Sequence, residues 1–120
     1  MDSPDSTPDG SPDIPAATVK AIGDLDALVQ AILKATPASK PWQRQLLVHL
    51  SQMDREVQVL RLTISLGRGV AEVGEAAAVL RRTLRTANLY VGGGRADMGT
   101  KAAIRLALEL GQKIDGLLEL

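Results

Sequence analysis

Residues 42–70 read WQRQLLVHLSQMDREVQVLRLTISLGRGV. In this stretch Leu46, Leu50, Met53, Val57, Leu60 and Ile64 recur at alternating steps of four and three, the seam of a helix packed as in a coiled coil. A second stripe overlaps the first and runs on: Val59, Leu62, Leu66, Val70, Val73, Ala77, Leu80, Leu84, Ala87 and Val91. The two stripes lie on different faces. Either one long helix changes its buried face midway, or the chain turns at Gly67-Arg68-Gly69 and two helices pack antiparallel. Two glycines in three residues cost a helix about 2 kcal/mol relative to alanine, which favours the turn. A competing pattern sits inside the stretch. Leu60 to Leu66 alternates apolar and polar as a strand does, so 60–66 stands between helix and strand. A lone strand needs a partner, and the only other candidate, Leu89 to Val91, is short.

Working outward, a first helix is expected to begin near Asp13 or Pro15, where a capping carboxylate and an early proline suit a first turn. Its stripe is Ile22, Leu25, Val29 and Ile32, flanked by Leu28 and Leu33. Gly23 weakens it by about 1 kcal/mol and is a point where it could split. ATPASKP (35–41) is a connector, with Ser39 as a cap for the second helix and Pro41 in its first turn. Gly92-Gly93-Gly94 ends the third helix, and Asp97 or Thr100 caps a fourth that runs to the carboxyl end. The main seam of this last helix reads Ala103, Ala107, Leu110, Ile114 and Leu117, while Ile104, Leu108 and Leu118 fall on other faces. Its polar line is only Lys101, Arg105, Glu109 and Gln112/Lys113. So narrow a stripe implies a helix surrounded by others, and in a four-helix monomer no helix is surrounded on three sides. The expectation is therefore an all-α antiparallel bundle of about four helices over residues 14–120 that works as a homodimer or higher oligomer. Ile104, Leu108 and Leu118 are its expected contacts.

Residues 1–13, MDSPDSTPDGSPD, repeat Ser/Thr-Pro-Asp and contain no apolar residue after Met1. Proline at every fourth position forbids a helix, and the stretch cannot bury enough surface to offset its ordering entropy. A disordered acidic arm is expected. The chain balances 14 bases with 14 acids, but four of the acids are in this arm, so the remainder carries about +4. That is mild for a nucleic-acid binder. With one Trp, one Tyr and no Phe, stacking platforms for single-stranded nucleic acid are excluded. The absence of cysteine removes disulfides, thiolate zinc sites and cysteine nucleophiles together. There is no long uncharged apolar run to span a membrane, and the acidic, proline-rich start is unlike a signal peptide, so a cytoplasmic protein without membrane contact is expected.

Residues 94–101, GRADMGTK, approach a phosphate-binding loop but end Thr-Lys where the pattern needs Lys-Thr. No convincing strand precedes them, and a loop between helices is the simpler reading. A weaker possibility is an anion held by the free amides of the fourth helix beside Arg95 and Lys101. Arg81, Arg82 and Arg85 form the densest basic cluster, read as one end of the third helix, with Arg95 nearby as a further phosphate contact. Cations near a helix carboxyl end satisfy its dipole without any ligand. His49 is the only histidine, beside the seam and without an orienting carboxylate, since Asp54 is five residues away. It is expected at the surface or core boundary, and Trp42 as a cover on the core. No metal site, cofactor or catalytic set can be assembled. The residues thus point to a small non-enzymatic helical interaction module that contacts itself and another protein. The alternative is an accessory nucleic-acid-binding protein using Arg81, Arg82, Arg85 and Arg95.

Overall fold

A computed structural model describes residues 14–119. The arm expected at 1–13 lies outside them. The described residues form four α-helices and no strand: α1 (Ala16–Ala35), α2 (Pro41–Ser65), α3 (Val70–Gly92) and α4 (Met98–Leu118).

Each helix carries one buried row at alternating steps of three and four. On α1 it is Thr18, Ile22, Leu25, Val29 and Ile32, unbroken by Gly23. On α2 it is Leu46, Leu50, Met53, Val57 and Leu60, all fully buried, with Ile64 packed against them. On α3 it is Val73, Ala77, Leu80, Leu84, Ala87 and Val91. Residues 60–66 therefore belong to helix and turn, not to a strand. An average spacing of 3.5 residues keeps each row facing its neighbours along the whole length, the geometry of shallow left-handed bundles.

Contacts across the rows show that consecutive helices run antiparallel. Arg61 of α2 reaches Asp26 of α1, while Asp54 accepts from Gln30 further along. The Tyr90 hydroxyl donates to the Trp42 carbonyl, tying the end of α3 to the start of α2. Arg81 pairs with Asp115 and Leu84 abuts Gly111, so α4 descends beside α3. Helix α4 also packs on α1, closing an up-down-up-down bundle.

Helix α4 departs from expectation. Its buried row is Ile104, Ala107, Gly111 and Ile114. Ile104, expected as an oligomer contact, is fully buried within the single chain, and Leu108 and Leu118 are half-buried against the same core. The expected seam and the observed row share Ala107 and Ile114, and a glycine decides between them. A Cβ on Gly111 would come within 2.5 Å of Leu84 Cδ1, so its missing side chain brings α3 and α4 together. Among the described residues only two helices, α1 and α3, flank α4. Its outer face exposes Ala102, Arg105, Leu106, Glu109, Gln112 and Lys113, wider than the polar line anticipated.

The helix ends follow local chemistry. Helix α1 opens with Pro15 at the N-cap, and α2 with Lys40, one residue after Ser39. Ser39 acts indirectly: Gln43 Oε1 accepts the Lys40 N–H and the Ser39 hydroxyl, both at 3.0 Å. Helix α3 ends at the glycine run as expected, and Asp97 caps α4. None of the helices is long and apolar enough to cross a membrane, judged on the described residues.

Candidate functional site

The α2–α3 turn is where the outer apolar stripe becomes surface. Gly67 has φ 68°, the left-handed region open to glycine. Its N–H donates to the Ile64 carbonyl and the Arg68 N–H to the Thr63 carbonyl, the paired bonds of a Schellman ending. Gly69 then caps α3, and the chain has reversed within three residues. As a result the stripe read across 59–91 divides. Val73 onward enters the core, whereas Val59, Leu62, Leu66 and Val70 remain between 54% and 60% exposed.

Beside this patch a groove of about 680 Å³ runs between the outer faces of α2 and α3. Val59 and Thr63 form one wall, Ala71, Ala76 and Val79 the other. Its polar members are Gln52, Arg55, Glu56, Glu72 and Glu75. Glu56 is only 8% exposed. Its Oε2 accepts from Gln52 Nε2 at 2.6 Å, and Arg55 Nη2 in turn donates to Gln52 Oε1. Glu56 Oε1 is buried and has no donor among the described residues. Sequence reasoning passed over Glu56. The available signal was its place one residue before Val57 of the seam, which turns it toward a neighbouring helix.

The arginines do not form one patch. Positions 81–85 fall in the middle of α3, not at its end, so the helix dipole does not account for them. Arg81 Nη1 pairs with Asp115 of α4, at 34% and 21% side-chain exposure. Arg82 faces Glu75, 3.8 Å away. Arg81 and Arg85 line a hollow of about 310 Å³ together with Asp115 and Glu119. Arg95 is exposed in the α3–α4 loop. Carboxylates thus stand beside Arg81, Arg82 and Arg85, and a phosphate there would have to displace or oppose them.

At the start of α4 the anion position is filled by the protein itself. Asp97 accepts the Thr100 hydroxyl at 2.6 Å and the Thr100 N–H at 3.1 Å. The hydroxyl first, and the backbone N–H second, lower its pKa from the usual carboxylate value. A second anion there would meet this carboxylate, so the GRADMGTK segment is a capped loop. His49 lies at the boundary, its ring 5.2 Å from that of Tyr90 and tilted by 51°. Trp42 is half-buried against the core. Among the described residues no group of three His, Asp or Glu is placed to hold a metal ion.

Comparison of the chain with protein-family models, with curated proteins and with solved structures finds no match.

Proposed function

We propose that this chain is a non-enzymatic helical interaction module that acts as a homo-oligomer. The contact surface is the closed end of the α2–α3 hairpin, with Leu62, Leu66 and Val70 as its anchors. One observation carries this reading: four large aliphatic side chains, Val59 included, are more than half exposed on adjoining turns. Moving side chains of this size from water into an interface is worth roughly 1.5–3 kcal/mol each before association costs. Contiguous apolar patches on soluble proteins mark interaction sites more often than scattered aliphatic residues do. A two-fold axis through the patch would bury both copies without another gene product. Helix α4 is the weaker choice for the same role, because Ile104 is already consumed by the core.

Multi-angle light scattering on the purified chain at micromolar concentration tests the proposal. The intact protein is expected to run as a dimer or larger assembly. Leu62→Glu with Leu66→Glu is expected to give a folded monomer, since both positions are exposed within one chain and a desolvated carboxylate is costly at a contact. A monodisperse monomer for the unmodified chain sinks the reading. So does an assembly that survives the double substitution.

A further inference from the structure

We propose that the α2/α3 groove is a binding site for an organic cation, an ammonium or amidinium carried on an apolar body, with Glu56 as its counter-ion. The groove's volume of about 680 Å³ lies within the roughly 300–1,000 Å³ typical of sites for small organic ligands. Its walls are mainly aliphatic, which fits an apolar body and lowers the local dielectric around any charge at its floor. The polar feature at that floor is one-sided. Glu56 is more than nine-tenths buried, one oxygen is held by Gln52, and the other has lost water without gaining a donor. Buried oxygens in that state are rare, because desolvation is then uncompensated. A ligand cation seated against the Glu56 carboxylate supplies the opposite charge, and a rotation of the carboxylate that turns Oε1 toward the groove lets a ligand N–H supply the missing hydrogen bond.

The rim favours the same sign. Glu56, Glu72 and Glu75 line the groove against one guanidinium, Arg55, which is engaged with Gln52. Arg68 stands 3.9 Å from Glu72 and Arg82 3.8 Å from Glu75, with all four side chains more than half exposed. Pairs this long and this exposed are weak, but they offset part of the charge of Glu72 and Glu75, so the buried Glu56 carries the sign of the site. An anion entering the groove would meet the Glu56 carboxylate, which has no cationic partner among the described residues, and an uncharged apolar molecule would leave Glu56 Oε1 as it is. The groove shares Val59 with the exposed patch, but Glu56 lies outside that patch and can be altered without touching its anchors Leu62, Leu66 and Val70.

The test is a titration of the intact, ¹⁵N-labelled chain followed by NMR, with n-octylammonium, octyltrimethylammonium and octanoate, each kept below its micelle concentration. Octylammonium is expected to shift the amides of Val59, Thr63, Ala71, Ala76 and Val79 saturably. Octyltrimethylammonium keeps the charge but cannot donate, and is expected to bind more weakly; octanoate is expected to leave these amides unmoved. Glu56→Gln should weaken octylammonium binding by roughly tenfold or more, the scale of a lost charge-assisted hydrogen bond, with the helical circular dichroism unchanged. Ala71→Leu fills the groove from an exposed position and should abolish binding, which keeps the test decisive even where Glu56→Gln fails to fold. The proposal is overturned by any of three results: no saturable shift with octylammonium, octanoate or the trimethyl compound binding as tightly, or equal affinity in Glu56→Gln.

Discussion

A methyl group at position 111 would lie 2.5 Å from Leu84 Cδ1, and Leu84 is itself fully buried. Neither side chain has free space to move into, so Gly111→Ala should overpack the α3–α4 contact and cost about 1–3 kcal/mol. Gly23 is the opposite case. It sits in the interior of α1 with no heavy atom within 4 Å of an added Cβ. Gly23→Ala should stabilise the chain by about 0.5–1 kcal/mol, through helix propensity and a less disordered unfolded state. Urea denaturation of both variants checks the pair; stabilisation by both would mean that α3 and α4 are not in close approach. In the sequence the two glycines look alike, each set in the interior of a helical pattern. The difference between them is the presence of Leu84, a residue 27 positions from Gly111. The burial of Glu56 was only hinted at by its place beside the seam, since the helix that covers it there, α3, is distant in sequence.

At the scale of elements the α2–α3 hairpin is the clearest case of local sequence dictating structure. Gly67 takes the left-handed conformation at the end of α2, whereas Gly69 has φ −67° and serves as the N-cap of α3. A Cβ is unfavourable in the first conformation and ordinary in the second. Gly67→Ala should therefore destabilise the chain by about 1–2 kcal/mol, while Gly69→Ala, with open space around its Cβ, should cost only about 0.5 kcal/mol, because the loss of a favoured N-cap residue is largely offset by a less disordered unfolded state. Thermal melts of the two variants, compared with the parent, provide the check. An equal loss at both positions would show that the turn is held by something other than the backbone of Gly67. The presence of a turn could be read from two glycines in three residues. Which of them carries the left-handed angle could not, because either one can reverse a chain. The strand-like alternation of 60–66 lost to the heptad seam, which already included Leu60 and Ile64 and had the rest of α2 to propagate it.

For the whole molecule, the position of Leu108 separates a core residue from an assembly contact. It is half-buried against the core formed with α1 and α3. Leu108→Glu should therefore lower the intrinsic stability of the bundle by roughly 1–3 kcal/mol, with a loss of thermal midpoint that does not depend on protein concentration. A change in assembly mass with an unaltered midpoint would return Leu108 to the interface once expected of it. The sequence by itself determined the helical class, three of the four buried rows, the glycine ends of α2 and α3 and a cap for α4 at Asp97 or Thr100, of which the structure shows Asp97. These depend on spacing along one helix and on backbone groups within a few residues, and both are written locally. The fourth row, the partners of Arg81 and Arg82, the buried carboxylate of Glu56 and the identity of the exposed aliphatic patch were decided only by tertiary structure. Each depends on which neighbour comes close to a given face. Along a single helix two interleaved rows can be equally apolar, as they are on α4, and only the packing of another helix buries one and leaves the other at the edge.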